Sequence, residues 1–436
     1  MNLDPIRLHW DRFPRCGTSA VAALALLLGA CTTPGGPSRP ASNLPLGLNA
    51  GDSTELPFYR WSEPVPNEPG RVLRQQKVTV QEDMPHAASA TRILYVSNDE
   101  RWNSGPIPVS GMIFLPEGSP PDGGWPILAW GHGTVGTADV CAPSHTGLRP
   151  RDAVYLDHWL KAGFAVVATD YQGLGGPGPH PYQFWQAEGR SILDSANAMR
   201  SLYPVLTSRS VIVGGQSQGS SAALGAAWLA SDELSDLTVK GAVVTGLGSY
   251  FPEGPVKLEP RMSANIFLSY ASGGLRDDAP PIDDLVTPQG AEVLAATRSG
   301  CKDDIKEAAI ENRIADLGDA FRIPLSELKA MTVPLGQFPM KRAGMPIFVA
   351  TGLADATIEP EWQYASVRAM CAAGNIVAWH PYDGLGHDGA MHGSIEDSID
   401  FARRALTGDS GRSSCGTINR PGAPQQRDPQ APFNDD

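Results

Sequence analysis

One serine, placed at the apex of a predicted strand–turn–helix unit, has the strongest potential for covalent chemistry. The β-branched run VIV at 211–213 predicts a strand, and the small residues at 220–228 predict a helix. Between them Gly215, Ser217 and Gly219 form the G-x-S-x-G pattern of a nucleophile elbow, a turn too sharp for side chains at its flanking positions. The pattern predicts Ser217 as a nucleophile and the amide of Gln218 as a donor to an oxyanion. The alternative is a small-residue helix start that packs against a sheet.

A serine hydroxyl needs a base to take its proton, and the base needs an acid to orient it. Asp355 follows the apolar strand PIFVA at 346–350, and His387 follows the strand IVAWH at 376–380. Both therefore fall on loops at the sheet edge where Ser217 is expected. The chain order serine, aspartate, histidine is that of the α/β-hydrolases. His392 remains an alternative base and Asp383 an alternative acid.

A glycine-rich loop predicts the second oxyanion donor. The apolar strand PILAW at 126–130 runs into the sequence GHGT at 131–134. Glycine allows a backbone to approach a substrate carbonyl closely and donate an N–H to it. We expect Gly133 or Thr134 to supply that amide beside Gln218, and the residues alone do not choose between them. A plain glycine-rich turn is the alternative.

The order of strands and helices predicts an α/β-hydrolase fold. Short β-rich runs at 71–80, 90–97 and 109–115 indicate an antiparallel opening, and strands alternate with helices from 126 onward. Such alternation is typical of a mostly parallel central sheet with helices on both faces. We expect the core at 58–245 and 344–407, with residues 246–343 inserted as a helical cap; a separate second domain is the alternative. Residues 408–436 form a polar tail, expected to be largely disordered after Cys415.

The N-terminal residues predict export. Arg7, Arg12 and Arg15 precede an apolar stretch at 20–30 that is too short to span a bilayer. The stretch ends in LGAC at 28–31, which resembles a bacterial lipobox. We expect a signal peptide at 1–30, a lipid anchor on Cys31 and a flexible tether at 31–57. This places the protein on the cell envelope, at the outer membrane facing the periplasm or the surface; a freely secreted protein is the alternative.

Composition narrows the possible partners. The chain has 436 residues and a formal net charge of −13, and it carries no basic cluster, which argues against nucleic acid. No C-x-x-C or C-x-x-H spacing predicts a zinc site, and we expect neither a metal nor another cofactor. Four cysteines remain once Cys16 and Cys31 are set aside, and they allow three pairings into two disulfides. We expect a monomer.

Several stretches together resemble the secretory lipases of the α/β-hydrolase superfamily. They are RILYVS at 92–97, GHGT at 131–134 leading to CAPS at 141–144, DYQGLG at 170–175, the elbow, GLAD at 352–355 and His387. The resemblance runs from about residue 70 to residue 406. It implies hydrolysis of carboxylic esters, such as acylglycerols or related lipids, through an acyl-enzyme on Ser217 without a cofactor. It also implies a helical cap and the disulfides Cys141–Cys301 and Cys371–Cys415.

The leading hypothesis is a membrane-tethered serine ester hydrolase, a lipase or carboxylesterase, with Ser217, Asp355 and His387 as its triad. A serine peptidase or amidase on the same fold would need the same three residues. A lipoprotein that keeps this fold but only binds a ligand is the third possibility.

Overall fold

One large sheet organises the described chain. The computed structural model describes residues 44–47, 50–52, 57–232, 236–248, 260–332 and 340–434, and nine strands pair there into a single sheet. In chain order the strands are β1 (Val72–Val78), β2 (Ala87–Asn98), β3 (Pro106–Pro116), β4 (Trp125–Gly131), β5 (Ala165–Thr169), β6 (Thr207–Gln216), β7 (Thr238–Thr245), β8 (Ile347–Gly352) and β9 (Val377–Tyr382).

The sheet is antiparallel at one side and parallel over the rest. Its order is β1-β2-β3-β5-β4-β6-β7-β8-β9. β1, β2 and β3 pair antiparallel, as do β3 and β5, whereas every pair from β5 to β9 along the sheet is parallel. This is the mostly parallel sheet that the alternation of strands and helices predicts. β6, which leads to Ser217, lies between β4 and β7, so the glycine loop and the elbow leave the sheet side by side.

Helices cover both faces of the sheet, and further helices fill the long interval between β7 and β8. The helices are α1 (Pro143–Thr146), α2 (Pro150–Lys161), α3 (Trp185–Leu202), α4 (Gln218–Asp232), α5 (Pro260–Ser269), α6 (Ile282–Leu285), α7 (Pro288–Ser299), α8 (Lys302–Glu311), α9 (Leu317–Ala320), α10 (Leu325–Met331), α11 (Pro360–Ala372), α12 (Gly389–Gly393) and α13 (Ile395–Leu406).

The buried central strands contribute apolar side chains to both faces. Along β6, Val211 and Val213 pack with residues of α3, α4 and α11, whereas Ile212 packs on the opposite face with residues of α2 and α13. This follows from the two-residue period of a strand, which points successive side chains to opposite sides. A parallel strand covered on both faces needs apolar residues at consecutive positions, and this explains runs such as VIV and PILAW.

The described helices between β7 and β8 have an apolar cluster of their own. Phe267 of α5, Leu294 of α7 and Ile305 of α8 are all buried within it. Tyr182, from the loop before α3, also belongs to this cluster. The predicted insertion is therefore helical in its described part, and it packs against the core through Tyr182.

Two disulfides link distant parts of the chain. Cys141 is bonded to Cys301 at the start of α8, and Cys371 of α11 is bonded to Cys415. These are the pairs that the resemblance implies. Lys302 N also donates to Val135 O at 2.7 Å, so α8 is attached to the loop after β4 by a hydrogen bond as well as by the disulfide.

The two ends of the chain differ in how much of them the structure describes. The predicted signal peptide at 1–30, Cys31 and most of the predicted tether at 31–57 lie outside the described residues. Residues 408–434, by contrast, are described, and they differ from the expected disordered tail because their polar groups hydrogen-bond to the core, as Gln425 N does to Leu353 O at 2.7 Å. Within the described ranges, no helix is both long and apolar enough to cross a membrane.

The two disulfides should stabilise the fold unequally. Cys141 and Cys301 are separated by 160 residues and Cys371 and Cys415 by 44, and closing a longer loop removes more entropy from the unfolded chain. We expect the Cys141→Ser/Cys301→Ser variant to lose about 1 kcal/mol more of the free energy of unfolding than Cys371→Ser/Cys415→Ser. Urea denaturation of both variants and the wild type measures the difference; equal losses, or the reverse order, would contradict it.

Candidate active site

Ser217 occupies the turn between β6 and α4. β6 ends at Gln216, α4 begins at Gln218, and Ser217 alone joins them with a φ of +58°. This left-handed conformation is strained for a residue with a side chain, and such strain persists only where the surrounding structure enforces it. Ser217 N donates to Thr245 O at the end of β7 at 3.0 Å, which fixes the turn to the neighbouring strand. The local geometry is that of the predicted elbow.

The two elbow glycines are required by close backbone contacts. A Cβ at Gly215 would lie 2.0 Å from the carbonyl oxygen of Gly219, and a Cβ at Gly219 would lie 1.9 Å from that of Gly131. Real Cβ atoms do not approach so closely. The elbow therefore packs directly against the end of β4, where the glycine loop begins.

Asp355 and His387 meet in a buried hydrogen bond. The Asp355 carboxylate is fully buried, and its Oδ2 lies 2.8 Å from His387 Nδ1. Its Oδ1 accepts from the backbone amides of Thr357 and Ile358 at 2.9 and 2.8 Å. Because these amides hold the carboxylate in place, its orientation fixes the plane and tautomer of the imidazole.

The other nitrogen of His387 remains available. His387 Nε2 is buried and has no hydrogen-bond partner in the described part of the chain. Gly246, at φ +56°, lies against the imidazole ring, where a Cβ would come 2.7 Å from Cε1. His387 and Ser217 line the same cavity. The structure thus brings together the three residues that the sequence predicts as a triad.

Gln363 is a residue of this site that the sequence did not reveal. Its side chain is fully buried, and Nε2 donates to Asp355 Oδ2 at 2.8 Å. Its Oε1 accepts from Thr351 Oγ1 at 3.0 Å and from Leu247 N at 3.3 Å. Gln363 therefore links Asp355 to the ends of β7 and β8. The one available signal was its place in the first turn of the helix after the acid loop.

His392, the alternative base, makes contacts outside the site. His392 lies in the last turn of α12, and its ring stacks on Phe433 with centroids 4.2 Å apart. Burial lowers the pKa of His392 to about 4, so its ring is held neutral at physiological pH. His380 is partly exposed and lies 3.5 Å from Asp397.

The competing acids also have other partners. Asp383 accepts a hydrogen bond from Gln425 Nε2 at 2.9 Å. Asp388 forms an ion pair with Arg151 of α2 and accepts from Gln216 Nε2 at 2.9 Å. Arg151 Nη2 also donates to Gln216 Oε1 at 3.3 Å. This Arg151 network joins the residue before the serine to the residue after the histidine.

The glycine loop lies beside the elbow, as predicted. Thr134 lines the cavity with Ser217, and its Oγ1 lies 2.7 Å from the hydroxyl of Tyr182. A Cβ at Gly133 would lie 2.6 Å from Gln216 Oε1, so the loop packs closely on the elbow. The backbones of the glycine loop and of the elbow therefore lie close together beside Ser217.

The side chain of Gln218 is anchored beneath the elbow. Its Nε2 lies 2.7 Å from Glu188 Oε1 and 2.8 Å from His180 Nε2. Burial raises the pKa of Glu188 to about 8 and lowers that of His180 to about 3, because each neutral form avoids burying a charge. The side-chain amide of Gln218 donates to both groups, and this holds Gln218, the first residue of α4, in place.

The cavity beside Ser217 is small, and most of the residues that line it have polar side chains. Its volume is about 130 Å³. Helices α5 and α8 of the insertion contribute part of its wall. The lining residues are Thr134, Arg151, Gln216, Ser217, Ala264, Asn265, Lys302, Asp303, Lys306, Thr357, His387 and Asp388. No group of three or more His, Cys, Asp or Glu side chains able to hold a metal ion lies within the described ranges.

Comparison with known proteins points to a family of lipases. Residues 141–297 match the family model described as Secretory lipase. The predicted resemblance to secretory lipases is confirmed. The matched stretch contains the elbow and Cys141 and ends before Cys301, and it supports ester hydrolysis as the class of reaction. No relative with a curated description matches the sequence.

Solved structures confirm the α/β-hydrolase-like fold. Candida antarctica lipase A in its closed state is 20% identical, with a TM-score of 0.62 over 83% of this chain and 88% of that chain. A putative hydrolase of Legionella pneumophila is 16% identical, with a TM-score of 0.63 over 77% and 98%. The rice cell wall degrading esterase LipA of Xanthomonas oryzae is 15% identical, with a TM-score of 0.57 over 79% and 100%.

The raised pKa of Glu188 predicts a pH-dependent effect of its replacement. The folded protein retains a proton on Glu188 that the unfolded chain loses above about pH 4.5. The stability linked to this proton is fully present below that pH and is lost as the pH rises towards 8, by up to ~1.4 kcal/mol per pH unit. We expect Glu188→Gln to gain free energy of unfolding relative to wild type between pH 5 and pH 8.

Urea denaturation at several pH values measures this gain. The exposed Glu307→Gln is the matched control, and its difference from wild type should not change with pH. A difference for Glu188→Gln that is constant, or that shrinks as the pH rises, would contradict the prediction.

Proposed function

We propose that this protein is a serine ester hydrolase that cleaves carboxylic esters through an acyl-enzyme on Ser217. The observation that carries the proposal is the buried hydrogen bond between Asp355 and His387, at 2.8 Å, beside a serine held at φ +58° in a strand-to-helix turn. The match to secretory lipases supports the same reaction.

In the proposed mechanism Ser217 Oγ attacks the ester carbonyl while His387 Nε2 takes the hydroxyl proton. His387 Nδ1 stays protonated and donates to Asp355, which stabilises the imidazolium that forms. The tetrahedral intermediate then collapses, the bond to the alcohol oxygen breaks, and His387 gives its proton to the departing alcohol. A water molecule, deprotonated by His387, next attacks the acyl-enzyme; the bond to Ser217 Oγ breaks, His387 returns the proton to that oxygen, and the acid is released.

The developing oxyanion needs preorganised donors. We assign this role to the backbone amides of Gln218 and Thr134, with Gly133 as the alternative to Thr134. Gln218 is supported because its side chain is anchored beneath the elbow by Glu188 and His180. Thr134 is supported because it lines the cavity that contains Ser217.

The substrate is a carboxylic ester, and acylglycerols or related lipids are the class that the family match favours. The cavity beside Ser217, about 130 Å³ and lined mostly by residues with polar side chains, accommodates a short group as it stands. A long acyl chain requires α5 and α8 to move. Residues 246–343 thus act as a cap over a core formed by 58–245 and 344–407.

The proposal extends to the protein's location. The two disulfides support export, since such bonds persist in oxidising compartments. We retain the signal peptide at 1–30 and the lipid anchor at Cys31 as proposals, supported by the sequence LGAC at 28–31. The protein is proposed to act as a monomer at the cell envelope.

Substitution of the triad tests the mechanism. Ser217→Ala, Asp355→Asn and His387→Gln should each lower kcat on a p-nitrophenyl ester by at least ~10³-fold, because each removes a part of one proton-transfer unit. Their thermal midpoints should stay near that of wild type. Steady-state kinetics and labelling of Ser217 by a fluorophosphonate measure the effects.

Matched controls make this test specific. Asp383→Asn and His380→Gln change the same residue types on nearby loops and should retain activity within a few fold. Full esterase activity in Ser217→Ala would falsify the assignment. If His387→Gln were active and His380→Gln inactive, His387 would not be the base.

Acyl-chain length tests the role of the cavity. With p-nitrophenyl esters from acetate to palmitate, we expect kcat/KM to be highest for acetate to butyrate and to fall for longer chains. The reason is that a short acyl group fits without displacement of α5 and α8. Activity that rises steadily towards palmitate would show that the cavity opens widely and that the enzyme is a long-chain lipase.

A further inference from the structure

Residues 417–434, here called the strap, lie against the loop that carries His387. Gly384 N donates to Gln425 Oε1 at 2.9 Å, and Asp428 N donates to Gly384 O at 2.8 Å. Gln425 N also donates to Leu353 O, two residues before Asp355, at 2.7 Å. The strap therefore contacts both loops that supply the proposed acid and base.

Asn434 makes the contacts nearest to the histidine. Its side chain is buried, with 5% of its surface exposed. Asn434 Oδ1 accepts from Gly386 N, the amide next to His387, at 2.5 Å, and Nδ2 donates to Gly384 O at 2.9 Å and to Asp428 O at 2.7 Å. One amide group thus holds the loop on both sides of Leu385.

The close fit around Asn434 indicates a specific contact. A Cβ at Gly389 would lie 2.1 Å from Asn434 Oδ1, so glycine is required there to admit the side chain. The adjacent Phe433 has a φ of +52° and stacks on His392 of α12, with centroids 4.2 Å apart. The strap is thereby fixed to the elements on both sides of His387.

We infer that Asn434 is a positioning residue for His387, and that the strap sets the geometry of the catalytic base. The inference rests on the proposed function. The loop at 383–387, with the sequence DGLGH, contains two glycines that permit many backbone conformations. Asn434 restricts them, and it satisfies the buried amide of Gly386, which would otherwise lack its partner. It does so without touching the reacting atoms.

Replacement of Asn434 tests the inference. Asn434→Ala should lower kcat on a short p-nitrophenyl ester by about 10- to 100-fold with KM changed less than twofold, since misplacement of a catalytic group acts mainly on the chemical step. It should also shift the acid limb of the pH profile of kcat/KM. Asn434→Asp keeps an acceptor for Gly386 N and should retain more activity than Asn434→Ala.

Gln430→Ala is the matched control, because Gln430 is an exposed amide side chain in the same strap. It should match wild type in kcat, KM and pH profile. A kcat for Asn434→Ala within twofold of wild type, with an unchanged pH profile, would overturn the inference. So would equal losses in Asn434→Ala and Gln430→Ala.

Hydrogen exchange separates this inference from the proposed function. In Asn434→Ala the amides of residues 384–389 should exchange at least tenfold faster than in wild type, whereas those of β6 should be unchanged. If the wild type hydrolyses no ester but exchange is still faster in Asn434→Ala, the positioning of the loop stands and the proposed function falls. Unchanged exchange would overturn the inference whether or not the wild type is an esterase.

Discussion

Contact between the elbow and the end of β4 is the constraint on which the site depends. At Gly219 there is no room for a side chain, because the carbonyl oxygen of Gly131 occupies the place that a Cβ would take. β4 and β6 are parallel neighbours in register, so the sheet itself brings these two backbones together. Main-chain packing therefore determines where Ser217 stands relative to the glycine loop, and side chains adjust only the groups around it.

Polar side chains from distant parts of the chain complete the arrangement. Gln363 of α11 donates to Asp355, Arg151 joins the loops that carry Ser217 and His387, and Glu188 with His180 holds the start of α4. Each of these side chains is almost fully buried, and each is hydrogen-bonded to another polar group. Such networks stabilise one arrangement because any displacement leaves a buried polar group unsatisfied. The site is thus held in place both by close backbone packing and by buried hydrogen bonds.

The sequence predicted the strands and the elbow far better than the polar side chains that hold the site in place. Apolar periodicity located the strands to within a few residues, and the glycine spacing around Ser217 predicted the turn that the structure contains. Gln363 and Asn434 could not be found in the same way, because a hydrogen bond to a partner elsewhere in the fold leaves no local pattern. The segment after Cys415 illustrates the limit. Its polar, proline-rich composition is typical of disorder, yet its backbone and amide groups satisfy those of the loop at 384–386.

The attachment of α8 has a consequence for how this fold can diversify. Cys301, at the start of α8, is bonded to Cys141, and Lys302 N donates to Val135 O one residue after Thr134. The first turn of α8 is therefore attached directly to the segment that follows β4 and contains the glycine loop. Lys302, Asp303 and Lys306 face the cavity from that helix. Exchange of these three side chains would leave the backbone around Ser217 in place, so α8 is where substitutions can alter the substrates that the proposed esterase accepts.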